Sequence, residues 1–115
     1  MNLPFSKVRL VGDQVWLSGV IGFEEDGTLP AEVSRQTERV MQTIQATLAE
    51  QGCTLADIFS CTVYLTDADL FAPFNLAYAK WFSDPLPVRT TVLAGLVLQE
   101  ALLEITVVAQ KPTTE

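Results

Sequence analysis

The stretch "PLPVRTTVLAGLVLQEALLEITVVAQK", residues 85–111, decides the fold and raises the question of function. It reads as two apolar strands, 88–94 and 101–109, around the turn-like "GLVLQE", yet Arg89 and Glu104 sit inside them. Burying a charge costs several kcal/mol unless a partner or ligand compensates. Along the first strand Arg89, Thr91 and Leu93 share a face, and along the second Glu104, Thr106 and Val108 do. If the two strands pair as a hairpin about residues 96 and 97, position 89 lies opposite 104. The two charges then form a structural cross-strand ion pair, or they line a cleft. Arg89 is the one basic residue between Lys80 and Lys111. A lone guanidinium on an apolar strand is suited to gripping a carboxylate through two parallel hydrogen bonds, with Glu104 facing the reacting atom.

Working outward, "FSKVRLV" (5–11) and "QVWLSGVI" (14–21) form a hairpin about Gly12-Asp13. After the loop "GFEEDGTLP", Val33, Thr37, Val40, Met41, Ile44 and Leu48 recur at helical spacing, which predicts a helix over 31–51 stopped by Gly52. "IFSCTVYLT" (58–66) is a third strand. "DADLFAPFNLAYAKWF" puts Leu70, Phe74, Ala77, Tyr78 and Trp81 on one stripe of a second helix, with Pro73 tolerable within its first turn. The order is ββαβαββ, an α+β domain spanning 1–115, with loose ends at 1–3 and 112–115 and both helices packed on one face of one mixed sheet.

Composition narrows the function. The chain has 115 residues, enough for one core. It is 49% hydrophobic and 18% charged, an apolar excess that points to a subunit interface. Seven Lys and Arg against 14 Asp and Glu give a net charge of −7, which disfavours nucleic acid and anionic membranes. With no histidine and two unpatterned cysteines, Cys53 and Cys61, neither a Ser-His-Asp triad nor a zinc site is expected. "MNLPF" lacks the pattern of a signal peptide and no apolar run nears the ~20 residues of a spanning helix, so a cytoplasmic protein is expected.

Taken together, "PVRTTV", Glu104 fifteen residues after Arg89 in "LEI", "LPFSKV", "WLSGVIG", "LADIFSCTVYLTD" and "FAPFNLAYAKWF" resemble the RidA (YjgF-type) reactive-intermediate deaminases over about residues 3–111. The resemblance implies a chorismate-mutase-like fold assembling into a homotrimer with sites between subunits. It also implies hydrolysis of 2-imino acids, formed from enamines, to 2-oxo acids and ammonia, without metal or organic cofactor. Carried onto this chain, Arg89 binds the substrate carboxylate, Glu104 activates the attacking water, and the backbone of Thr91 contacts the imine nitrogen. Ser18 and Asn75 match positions at the pocket or its supports. Phe5 stands where most of the family carries Tyr, keeping the ring without the hydroxyl. The competing expectation is a non-catalytic trimer that binds small 2-oxo acids. Ribonuclease activity, attached to relatives, is disfavoured by the acidic surface.

Overall fold

The computed structural model of the chain describes residues 2–113. Met1, Thr114 and Glu115, which belong to the expected loose ends, lie outside the described residues. The elements run β1 (Val8–Val11), β2 (Gln14–Leu17), α1 (Val33–Glu50), β3 (Ile58–Leu65), α2 (Phe71–Ala79), β4 (Val88–Leu93) and β5 (Leu103–Gln110). The order and both helices are as the periodicity predicts. Helix α1 buries Val33, Gln36, Thr37, Val40, Met41, Ile44 and Leu48. It ends before Gly52, whose φ of +76° lies in the left-handed region that glycine enters without strain. Pro73 falls third in α2, where the backbone N–H it lacks has no intrahelical acceptor in any case.

The five strands form one mixed sheet in the order β1-β2-β5-β3-β4. Here the hairpin expected between β4 and β5 is corrected, because β3 lies between them. The unit β3-α2-β4 explains the change. A helix connecting two strands of one sheet returns the chain parallel to its start, so β4 runs parallel beside β3 at the sheet edge. Strand β5 then takes the other side of β3, antiparallel to it. Arg89 is in register with Cys61 and Glu104 with Tyr64.

The two faces of the sheet differ. Leu17 of β2, Cys61, Val63 and Leu65 of β3, and Leu103, Ile105 and Val107 of β5 pack under the helices with Met41, Ile44, Leu48 and Phe74. Each such aliphatic side chain contributes about 1.5–3 kcal/mol by leaving water. The other face carries Trp16, Thr62, Tyr64, Thr106, Val88 and Val92, with no helix over it among the described residues, and Trp16, Val88 and Val92 are exposed. No helix among the described residues is long and apolar enough to cross a membrane.

Candidate functional site

Strand β2 is shorter than the expected 14–21 because its pairing with β5 slips. The ladder pairs Trp16 with Val108 and resumes with Val20 opposite Ile105, one residue out of step. The extra residue makes a bulge, a device that re-aims side chains beside functional sites. Ser18 and Gly19 sit in it. Paired backbone bonds, Val20 N–H to the Ile105 carbonyl at 2.8 Å and Ile105 N–H to the Val20 carbonyl at 3.1 Å, lock Gly19 beside Glu104. A Cβ on residue 19 would overlap Glu104 Oε2 and lie 2.7 Å from its Cδ. Glycine is therefore what allows the Glu104 carboxylate to lie where it does.

Ser18 ties in the N-terminal segment. Its hydroxyl donates to the Ser6 carbonyl at 2.6 Å and its N–H to the Lys7 carbonyl at 3.0 Å. Residues 5–7, expected as strand, lie outside the regular part of β1, and Phe5 is exposed next to the carbonyl that Ser18 holds. Phe5, Ser18, Gly19 and Glu104 thus belong to one group.

Arg89 belongs to another. Its register with Cys61 places it on the helix-covered face, where the guanidinium carbon lies 5.9, 5.5 and 4.9 Å from the ring centroids of Phe71, Phe74 and Tyr78. Rings attract a cation over their faces without neutralising it. Arg35 and Arg39 of α1 are occupied by Glu24 and Glu38. Among the described residues, no carboxylate comes within 4.0 Å of Arg89. Two polar atoms on α2, the Tyr78 hydroxyl and Asn75 Oδ1, are buried without a hydrogen bond. Burial pushes the Tyr78 phenol above its ordinary pKa, with the Cys61 thiol adding to the rise and the Arg89 charge opposing it. Burial raises the Cys61 thiol as well, against the opposing effects of Tyr78 and Arg89. Thr91 is two residues beyond Arg89 on the same face, in register with Val63.

The expected residues therefore fall into two separate groups, Phe5, Ser18 and Glu104 in one, and Arg89 and Thr91 in the other, with Asn75 on the helix whose rings face Arg89. Arg89 and Glu104 lie on opposite faces of the sheet, two strands and three residues apart, or about 14 Å between backbones. The cross-strand ion pair is thereby ruled out. Four contributors went unforeseen: Gly19, whose role depends on a residue far along the chain, Phe74 and Tyr78, which the helical stripe marks only as apolar, and Phe71, which lies outside that stripe. Among the described residues no three His, Cys, Asp or Glu side chains gather as metal ligands.

Known proteins resemble this chain over nearly its whole length. Residues 2–111 match the family model described as Endoribonuclease L-PSP. The chain is 37% identical over 110 residues to a RutC family protein of Saccharolobus solfataricus, covering 94% of this chain and 87% of that one. It is 33% identical to a RutC family protein of Pyrococcus abyssi, with the same two coverages. Among solved structures, RidA from an Antarctic Psychrobacter superposes with a TM-score of 0.88 at 30% identity, covering 93% of this chain and 88% of that one. A YjgF family member from Neisseria meningitidis gives 0.89 at 26% identity, covering 98% and 92%.

Proposed function

This chain belongs to the Endoribonuclease L-PSP family, which takes in the RutC, YjgF and RidA proteins, and from that membership we propose that it is a deaminase of reactive 2-imino acids. The observation that carries the proposal is Arg89, a guanidinium set among three aromatic rings with no carboxylate beside it among the described residues. A substrate carboxylate supplies the missing anion, and a planar guanidinium binds it through two N–H groups.

An imine carbon is already electrophilic, so the protein need supply orientation and a base, with no metal or organic cofactor. Arg89 anchors the carboxylate and the Thr91 backbone holds the imine nitrogen. Glu104 accepts a proton from water as its oxygen bonds to the imine carbon. Glu104 returns that proton to the nitrogen to give a carbinolamine, and the hydroxyl proton then follows, again by way of Glu104, as the carbonyl forms and the carbon–nitrogen bond breaks, which leaves a 2-oxo acid and ammonia. Ser18 holds the Phe5 segment by its bond to Ser6, and Asn75 offers its unpartnered oxygen to the bound ligand.

Because Arg89 and Glu104 occupy opposite faces, one chain does not bring them to one substrate. We infer a homotrimer in which Arg89, Thr91 and Asn75 of one subunit meet Phe5, Ser18 and Glu104 of the next. The uncovered sheet face with Trp16, Val88 and Val92 supports such an assembly. The expected setting is the cytoplasm, where enamines leave pyridoxal-phosphate enzymes. The separation of Glu104 from Arg89 also favours a second reading, binding of small 2-oxo acids without hydrolysis. RNA is not the proposed substrate: the net charge is −7, and Arg35 and Arg39 are paired with carboxylates.

Generating an imine in situ and following its loss against uncatalysed hydrolysis separates the two readings. The deaminase should accelerate the loss. Arg89→Lys should lower kcat/KM by about 10- to 100-fold through the lost charged pair of hydrogen bonds. Glu104→Gln should lower kcat by about 100-fold or more while a 2-oxo acid still binds. Undiminished turnover in Glu104→Gln would leave only the binding reading.

A further inference from the structure

Phe71 belongs to two surfaces at once. Its ring centroid lies 5.9 Å from the Arg89 guanidinium carbon, and the ring also walls a groove of about 320 Å³ lined by Leu65, Ala68, Phe71, Thr91, Val92 and Leu93. Arg89, Thr91 and Leu93 follow one another on the helix-covered face of β4, spaced about 6.6 Å apart along the strand. A ligand with its carboxylate on Arg89 and its nitrogen on the Thr91 backbone has its next atoms directed along the strand toward Leu93, into the groove.

The lining holds no charged side chain, and its one hydroxyl is that of Thr91. The other half-site adds no donor for a polar substituent, since the Ser18 hydroxyl is engaged by Ser6 and position 5 is Phe. A polar substituent would lose its water there without a replacement partner, whereas an apolar one gains by burial. We propose that this groove takes the substrate side chain and that the preferred substrates are 2-imino acids with apolar side chains of the size of leucine or methionine. This rests on the deaminase reading of the same site.

The test is calorimetric titration with two unreactive ligands, pyruvate and 4-methyl-2-oxopentanoate. Wild type should bind the longer acid about tenfold or more tightly than pyruvate, from its additional buried carbons. Ala68→Phe, at an exposed position on the groove wall, fills the space and should reduce the ratio of the two affinities to near one. Leu93→Ser, which removes apolar wall, should reduce it in the same direction. Arg89→Lys should weaken both acids together and leave the ratio standing. If the ratio survives both groove variants while Arg89→Lys weakens both acids, the groove is not the side-chain site but Arg89 remains the anchor. If Arg89→Lys changes neither affinity, the carboxylate anchor and the groove assignment fall together.

Discussion

Gln36 and Arg89 are both polar side chains set among apolar ones, and their surroundings treat them in opposite ways. Gln36 is fully buried on α1, and its amide is met on every side. Nε2 donates to the Pro30 carbonyl at 2.7 Å and the Glu100 carbonyl at 3.1 Å, and Oε1 accepts from Leu102 N–H at 2.9 Å. It staples the loop before α1 to the loop that leads into β5, two residues ahead of Glu104. Arg89 has no carboxylate within reach among the described residues, and on α2, whose Tyr78 ring it faces, the Tyr78 hydroxyl and Asn75 Oδ1 have no hydrogen bond. Polar groups that are buried and satisfied hold a shape, whereas those left unsatisfied carry a desolvation penalty that a ligand can relieve.

The contrast breaks most visibly at Gln36. Replacing it with Leu leaves two carbonyls and an N–H without their partners, at about 1–3 kcal/mol for each group that water does not reach. Gln36→Leu should therefore lower the melting temperature by about 10 °C or more. A melting curve that overlays the wild type would show that the staple contributes nothing.

At Gly19 the expected effect is on rate. The atoms a new Cβ would strike are the far end of the flexible Glu104 side chain, so Gly19→Ala should fold normally while displacing the carboxylate. kcat for imine hydrolysis should fall about tenfold, with affinity for a 2-oxo acid little changed. An unaltered kcat would mean that the observed position of Glu104 is not the working one.

The smallest effect is at Tyr78. Its hydroxyl has no hydrogen bond to lose, so Tyr78→Phe in the unliganded protein should be neutral or stabilising, within about 1 kcal/mol. A loss beyond that would reveal a bond the hydroxyl makes in the folded state. The sign of the pH dependence follows from the same burial. Tyr78 and Cys61 titrate above their ordinary values when folded, so their contribution to stability is whole at neutral pH. It is lost as pH rises past the values of the unfolded chain, above about pH 9. Urea unfolding of wild type from pH 7 to 10.5 should show this decline, and Tyr78→Phe should flatten its upper part.

Much of the layout is legible in the sequence because it is periodic. Val33 to Leu48 mark α1, the apolar runs mark strands, and charges inside such runs single out Arg89 and Glu104. Strand alternation correctly groups Arg89 with Thr91 and Glu104 with Thr106. It cannot relate one strand to the other, because that relation depends on which strands are neighbours, and here the β3-α2-β4 crossover decides it. Gln36 escapes notice because a glutamine within the stripe of Val33, Thr37 and Val40 declares its role only once Pro30, Glu100 and Leu102 converge on it. Gly19 is hidden likewise, since its need is set by Glu104.

The proposal that each site draws Arg89 from one subunit and Glu104 from the next is tested most directly by complementation. Arg89→Lys and Glu104→Gln chains, each nearly inactive alone, are denatured together in equal amounts, refolded and assayed for imine hydrolysis. Each rebuilt site has an intact Arg89 half of the time and an intact Glu104 half of the time. With random assembly of a symmetric ring, activity should return to about a quarter of wild type. Activity no higher than the mean of the two variants alone would contradict the shared site and place both residues' work within one chain.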